Sequence, residues 1–136
     1  MQIWILYTFL ALITWGLWGF FPKLANMYLT SKDILVWEVI GAILIGFLVL
    51  YNLEFKPSFN IKGFIFSVLT GICGTLGMLF FLMAIKDGKI SIVVTMTALY
   101  PIITIILSYL ILKEPVSIKQ CIGIVLAILS MVLMTN

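Results

Sequence analysis

Residues 95–123, TMTALYPIITIILSYLILKEPVSIKQCIG, contain an apolar segment with a proline at its centre, a charged turn and the start of a second apolar segment. Three hydroxyl residues and the proline recur at intervals of three or four positions, on one face of a helix: Thr97, Pro101, Thr104 and Ser108. Because Pro101 has no N–H, the carbonyl of Thr97 loses its helical partner and needs another donor in hydrocarbon. The pattern fits either the lining of a polar pathway, together with Tyr100, or a close helix–helix contact.

The rest of the chain is equally apolar. Of its 136 residues, 64% are hydrophobic and 10% are charged, and the mean hydropathy is +1.29; a soluble domain of this size cannot bury that much apolar surface. A membrane-spanning helix needs about 20 apolar residues. The chain supplies five such runs, at 3–27, 33–53, 62–85, 89–112 and 117–135. The sequence predicts an all-α, multi-pass membrane protein of the plasma or inner membrane, with five transmembrane helices in one domain, 1–136.

Several other classes of protein lack support in the composition. No basic residue precedes the first run, which is also too long for the core of a signal peptide, so we expect it to remain as a helix. Cys73 and Cys121 both lie inside predicted helices, which argues against a disulfide framework, a metal site or any other cofactor. All eight basic residues are dispersed lysines, so nucleic-acid binding is not expected. Without histidine or a close carboxylate pair in a span, we expect no enzymatic activity.

The lysines are divided evenly between the two sides of the membrane. Five helices place four lysines on the side of the N-terminus and four on the side of the C-terminus: Lys56, Lys62, Lys113 and Lys119 on one side, and Lys23, Lys32, Lys86 and Lys89 on the other. Orientation is normally set by an excess of Lys and Arg on one side. The balance indicates either a weak bias decided by other features or insertion in both orientations.

Two tryptophans and two charged residues fall inside the first two runs. Trp15 and Trp18 share a face of the first run, where they act either in packing or as an aromatic wall for an organic solute. A hairpin between the runs brings Lys23 and Glu38 to a similar depth. Because an ionisable residue in a span is costly and by default functional, we expect these two side chains to pair or to face a common polar cavity. The alternative is that Glu38 reaches the membrane surface.

Small residues form seams on two other runs. The third run has Gly71, Gly74 and Gly77, and the fifth has Gly123, Ala127 and Ser130, at intervals of three or four. Such seams allow helices to approach closely, within one subunit or between two subunits. Polar residues also predict the starts of helices: Thr30 or Ser31 for the second, Asn60 for the third, and a capping box from Ser117 to Gln120 for the fifth.

These features resemble an EamA-type repeat of the drug/metabolite transporter superfamily. The resemblance covers essentially the whole chain and is most specific from residue 83 onward. Its landmarks are Trp15-Gly16, Lys23, Ala84, Lys86, Gly88, Ser91, Pro101, Glu114 in the last charged turn, and Gly123. Where relatives often carry an arginine near the start of the second helix, this chain has Glu38, so no role for that site is carried over.

The resemblance implies how one repeat would work. Family members usually contain two five-helix repeats, and an odd number of helices makes fused copies an inverted repeat. A single copy would reach that architecture only as an antiparallel homodimer, which the lysine balance permits. The resemblance implies a secondary transporter or exporter of small organic solutes, working by alternating access around a cavity formed by the first four helices. The alternatives are a non-transporting membrane subunit that binds a partner through the small-residue seams, and a lipid-carrier flippase. Substrate, direction of transport and coupling through protonation of Glu38 stay open.

Overall fold

The computed structural model describes residues 3–135, with the side chain of Thr135 left out, and the described chain is helical apart from its connections. The elements are α1 Ile3–Ala25, α2 Ser31–Asn52, α3 Ile61–Asp87, α4 Ile90–Thr97, α5 Tyr100–Leu107, a π-helical turn Ser108–Leu112, and α6 Ile118–Thr135. The first three and the last agree with the predicted runs to within two residues. The fourth run differs, because it is divided into α4, α5 and the π-helical turn.

The helices begin at the capping residues that the sequence indicated. The Thr30 hydroxyl accepts a hydrogen bond from the N–H of Asp33 at 3.3 Å and donates to its carboxylate at 2.6 Å, which fixes the start of α2. The Asn60 side-chain oxygen accepts from the N–H groups of Lys62 and Gly63 at the start of α3. Each cap satisfies backbone donors that the first turn of a helix leaves without intrahelical partners.

The predicted capping box is also present at the start of α6. The N–H of Ser117 donates to the Gln120 side-chain oxygen at 2.7 Å, and the N–H of Gln120 lies 3.3 Å from the Ser117 hydroxyl. This reciprocal pair satisfies two donors at once.

The fourth run is interrupted next to its proline. The regular helix stops after Thr97. A turn follows at Ala98 and Leu99, and the helix resumes at Tyr100. Pro101 lies in the first turn of α5, where the missing N–H of a proline costs little. The next donor, the N–H of Ile102, bonds to the Leu99 carbonyl at 2.9 Å, three residues back rather than four. The proline thus produces a local break, as its position in the sequence indicated.

Among residues 3–135, four segments are long and apolar enough to cross a membrane: α1, α2, α3 and the stretch Ile90–Leu112, which includes α4, α5 and the π-helical turn. A fifth apolar helix, Ile118–Met134, is shorter. This assignment rests on length and composition, and it gives a multi-pass membrane protein with a plausible fifth span.

The chain forms two compact units, Met1–Asp87 and Gly88–Asn136. Among the described residues, all the buried ones belong to the first unit: Pro22, Ser31, Ile34, Met78, Phe81, Leu82 and Ile85. They come from the end of α1, the beginning of α2 and the last turns of α3. The core of this unit is therefore concentrated at one end, where α1 and α3 finish and α2 starts. The expectation of a single domain over 1–136 stays a prediction.

Candidate functional site

Three helices of the first unit contribute to one cluster of side chains. The indole N–H of Trp18 on α1 donates to Oε1 of Glu38 on α2 at 2.7 Å. The ring of Phe81 on α3 stacks on Trp18, with centroids 5.7 Å apart and planes 17° from parallel. Offset stacking of aromatic rings stabilises such contacts beyond the apolar area that they bury. Trp18, Glu38 and Phe81 thus form an aromatic–carboxylate cluster that joins α1, α2 and α3.

The second oxygen of the Glu38 carboxylate is the most unusual polar atom of this cluster. Among the described residues, Oε2 is buried and has no hydrogen-bond partner. Glu38 lies two turns inside α2, a segment apolar enough to span a membrane. Burying a polar atom without a partner costs free energy, and charged residues within a membrane span usually serve a function. The described residues therefore leave Oε2 without a donor, and a donor from another molecule would lower the cost of burying it.

Lys23 lies in the last turn of α1 and reaches the end of α3. Its ammonium donates to the backbone carbonyl of Ile85 at 2.6 Å. We expected Lys23 and Glu38 to pair or to share a polar cavity. Both lie in the first unit, but these hydrogen bonds join Lys23 to α3 and Glu38 to Trp18. The pairing of Lys23 with Glu38 stays a prediction.

Two further polar residues, which the sequence analysis did not select, reach the same end of α3. The Ser31 hydroxyl donates to the Leu82 carbonyl at 3.2 Å, and the Asn26 amide lies 3.4 Å from the same oxygen. Asn26 follows Lys23 by three residues, so helical spacing placed both on one face of the chain. The sequence therefore indicated that Lys23 and Asn26 lie on one face. It did not indicate which carbonyls of a distant helix they would reach.

Trp15 lies outside the aromatic–carboxylate cluster. Its side chain is 64% exposed, although it is only three residues from Trp18. Trp18 itself is partly covered by Phe81. Phe81 is a functional candidate that the sequence analysis missed, because only the packing of α1 against α3 distinguishes it from the other phenylalanines of the chain.

The remaining pathway candidates lie in the second unit and are engaged locally. The Thr97 hydroxyl donates to the carbonyls of Val93 and Val94 at 2.9 and 3.1 Å, and that of Thr104 lies 3.5 Å from the Tyr100 carbonyl. Hydroxyls commonly bond in this way to the preceding turn of their own helix. The side chain of Tyr100 is exposed. The role of these residues as a pathway lining stays a prediction.

A small cleft lies beside the helix break in the second unit. Its volume is about 220 Å³, and its lining combines Pro101 and its neighbours with residues of α6: Ala98, Leu99, Ile102, Ile105, Gln120, Gly123, Ile124 and Ala127. Pro101, predicted as a pathway residue, thus lies close to Gly123 and Ala127, predicted as packing residues. The lining is predominantly apolar, which suits hydrocarbon contacts better than recognition of a charged solute.

The glycine seam of α3 is open within its own unit. A methyl group added at Gly71, Gly74 or Gly77 would meet nothing within 4 Å among the described residues, and the same is true of Gly123 in α6. Ser130, further along α6, is exposed. These small residues therefore keep their surfaces available, and their use in helix packing or dimer formation stays a prediction.

Glu114 closes the end of the π-helical turn. Its N–H lies 3.4 Å from the Ser108 carbonyl, and its carboxylate accepts a hydrogen bond from the Ser108 hydroxyl. The intervening Lys113 has a φ of 56°, a left-handed conformation that commonly ends helices. The structure thus gives this residue of the last charged turn a local capping contact.

No candidate metal centre is found among residues 3–135, in which no three His, Cys, Asp or Glu side chains cluster suitably.

Comparison with known proteins gives two matches that span nearly the whole chain. The model of the EamA-like transporter family matches residues 2–136. An uncharacterized protein of the archaeon Methanocaldococcus jannaschii is 29% identical over 128 residues, which are 93% of this chain and 91% of that protein. No solved structure matches the chain significantly. Both units therefore fall within the region that the family model describes.

Proposed function

Because this chain belongs to the EamA-like transporter family, as its motif residues indicated, we propose that it is a secondary transporter or exporter of small organic metabolites or drugs. It works by alternating access as an antiparallel homodimer in the plasma or inner membrane. The observation that carries the proposal is the aromatic–carboxylate cluster, in which Glu38 keeps one carboxylate oxygen buried and without a partner. Family membership supports the class of activity, and the cluster supports Glu38 as the residue that binds the solute.

The chemistry of the cluster favours an amphipathic solute. A polar or positively charged group of the solute would donate a hydrogen bond to Oε2 of Glu38. Burial of that oxygen costs less free energy once it has a donor. An apolar body would contact the part of the Trp18 ring that Phe81 leaves exposed, since indole faces attract both hydrocarbon and cations. Small amines and amino-acid-like molecules combine both parts, so they are the first solutes to test.

The homodimer follows from the odd number of helices and the even distribution of lysines. A five-helix unit ends on the side opposite to its start, and a second copy in the reverse orientation supplies the inverted repeat typical of such transporters. Four lysines on each side leave insertion without a preferred direction. The open glycine seam of α3 offers a surface on which a second copy can approach closely.

Flux measurements in proteoliposomes test the transport function. The purified protein alone is reconstituted, and uptake of a panel of radiolabelled amines and amino acids is measured against empty vesicles. We expect uptake of at least one solute. The Glu38→Gln variant keeps an oxygen that accepts from Trp18 but loses the charge, so we expect flux to fall at least about tenfold, equivalent to about 1.4 kcal/mol. The matched control is Glu54→Gln, an exposed glutamate in a loop.

The outcomes separate the candidate functions. Equal flux in Glu38→Gln and the parent protein would remove the cluster from the pathway. Absence of flux for every solute, with a tightly co-purifying membrane protein, would favour a non-transporting subunit. Movement of a lipid-linked group across vesicles without flux of free solutes would favour a flippase.

Topology mapping tests the antiparallel dimer. A C-terminal tag that can be labelled from either side reports how many copies point each way, and we expect both faces to be labelled. Two added lysines on one side should confine the chain to one orientation and abolish flux. Co-expression with an oppositely biased variant should restore flux. A single orientation in the parent protein, with full activity, would contradict the dimer.

A further inference from the structure

We propose that Lys23, Asn26 and Ser31 form a latch that holds the C-terminal end of α3 and thereby closes access to Glu38 from this end of the first unit. In this role Lys23 is a positioning residue, which acts on the cluster through α3. The inference rests on the proposed transport function, because it assigns the latch to one gate of the pathway.

The latch consists of three donors from the α1–α2 hairpin and two backbone acceptors on α3. Lys23 donates to the Ile85 carbonyl at 2.6 Å, and Ser31 donates to the Leu82 carbonyl at 3.2 Å, with Asn26 at 3.4 Å from that oxygen. The acceptors are separated by nearly one helical turn. Hydrogen bonds at two levels of α3 restrain both its position and its rotation, which a single hydrogen bond would not do.

The electrostatics of this end favour a cation at the position of Lys23. Ile85 belongs to the last four residues of α3, whose carbonyls have no partner within the helix. Lys23 is also in the last turn of its own helix, α1. The C-terminal end of a helix carries partial negative charge, so the ammonium serves two helix ends at once. A neutral side chain at this position would leave the partial charges of both ends without their cation.

The same turns of α3 carry the residues that cover the cluster. Phe81 precedes Leu82 directly and stacks on Trp18, whose indole holds Glu38. Leu82 and Ile85 are fully buried, so α3 cannot shift at this end without opening the core. Oε2 of Glu38 is buried in this arrangement, beside the Trp18 indole on which Phe81 stacks, so a solute reaches it only after the residues around the carboxylate move. Release of the latch is the motion that frees them.

In the antiparallel pair of the proposed function, the two latches lie on opposite membrane faces. One latch engaged and one released would then expose the pathway to one side at a time. In this structure the latch is engaged, which corresponds to the closed state of its own gate.

Cysteine accessibility tests the latch without any substrate. The reporter is Ile34→Cys in a background in which Cys73 and Cys121 are replaced by alanine; Ile34 is buried at the latched end but forms no hydrogen bond of the latch. The purified full-length protein is reacted with a small maleimide, and the labelling rate is measured for Lys23→Gln. We expect labelling to be about tenfold faster or more, because the hydrogen bond from a charged donor is removed. Lys23→Arg, which keeps the charge, should restore slow labelling.

A control and a second variant make the result decisive. Lys32→Gln removes an exposed lysine nearby that has no part in the latch, so its labelling rate should equal that of the parent protein. Thermal unfolding is measured on the same samples, since a general loss of stability would lower the midpoint and label every site. Faster labelling in a variant whose unfolding midpoint stays well above the labelling temperature supports the latch. Unchanged labelling in a folded Lys23→Gln overturns it. If that variant does not fold, Ser31→Ala replaces it, with the same two outcomes.

This experiment is independent of the transport assay. A protein that transports but shows no change in labelling retains the proposed function and loses the latch. If the labelling test supports the latch but no flux is found, the latch is no longer assigned as a gate, although its hydrogen bonds remain.

Discussion

The two units of this chain are both strongly apolar but have very different interiors. The first, up to Asp87, is built from three long helices whose described residues include a buried core at one end. The second, from Gly88, contains two short helices, a π-helical turn and one longer helix, and none of its described residues is buried. Apolar sequence is present in both, so apolar character alone does not make a packed core in a membrane protein. Lipid solvates apolar side chains as well as protein does, and association has to come from packing and polar contacts.

Polar side chains account for much of the difference. In the first unit, Lys23 and Ser31 reach from one helix to backbone carbonyls of another, and Trp18 reaches Glu38. In the second unit, the hydroxyls of Thr97 and Thr104 bond within their own helix, and the Thr95 hydroxyl reaches another helix only at the sulfur of Met134, a weak acceptor. A hydroxyl used locally contributes nothing to the contact between helices. The comparison indicates that polar contacts join the helices of the first unit, while the described residues of the second unit keep exposed surfaces.

The largest effect that would test this contrast is expected from the core leucine. Leu82 is fully buried, and Leu82→Ala should lower the free energy of unfolding by about 2–5 kcal/mol, because the side chains around the new cavity would be less well packed. Leu126→Ala in α6, where the side chain is 60% exposed, should cost under about 0.5 kcal/mol. Reversible unfolding in bicelles measures both. Equal losses would show that the second unit is packed as tightly as the first.

The next largest effect is expected from the buried hydroxyl of the latch. Ser31→Ala removes the donor to the Leu82 carbonyl and should destabilise the protein by about 1 kcal/mol, typical of one hydrogen bond. The matched control is Ser91→Ala in α4, where the serine is exposed. Chemical unfolding of both variants in the same detergent gives the comparison. If Ser91→Ala lost more stability than Ser31→Ala, the exposed serine of the second unit would make the stronger polar contact, contrary to the contrast between the two units.

A smaller effect is expected at the helix break. Pro101→Ala restores a backbone donor and should slow hydrogen exchange at residues 98–102. The gain in stability should be under about 1 kcal/mol, well below the roughly 3 kcal/mol of an interior proline, because the helix already restarts next to it. Hydrogen exchange followed by mass spectrometry measures the change in exchange rate at these residues. An unchanged exchange pattern would mean that the break does not depend on the proline.

The smallest effect is expected at the end of the π-helical turn. Glu114→Gln keeps an acceptor for the Ser108 hydroxyl but loses the charge, and charge-assisted bonds are about twice as strong as neutral ones. We expect a loss of about 0.5 kcal/mol, against no measurable change for Glu54→Gln in an exposed loop. Thermal unfolding of the two variants measures this difference in stability. A loss of several kcal/mol would give this turn a structural importance that the open second unit does not suggest.

The helices and their starts could be read from sequence because their causes are local. Runs of apolar residues set the spans, and the caps at Thr30, Asn60 and Ser117 lie beside the donors that they satisfy. The break near Pro101 was equally readable, since the missing N–H belongs to the residue itself. The division of the fourth run into separate short helices was not predicted, because the sequence indicated one helix that loses a backbone hydrogen bond at the proline.

The candidate site could be predicted only in part. Glu38, Trp18 and Lys23 were selected because ionisable and indole groups are unusual inside apolar runs. Trp15 was selected by the same reasoning; it lies outside the aromatic–carboxylate cluster, and its role stays a prediction. Phe81 and Asn26 were missed, because their partners lie on helices distant in sequence.

The amino-acid sequence by itself determined the membrane-spanning character, the positions of the helices, the balance of lysines and the family. Each of these depends on composition or on residues a few positions apart. Only the tertiary structure decided that α1 and α3 end together, that Phe81 stacks on Trp18, and that Lys23 binds the Ile85 carbonyl. A backbone carbonyl is present in every residue, so no sequence pattern indicates which one a distant lysine will reach. That choice depends on how the helices pack.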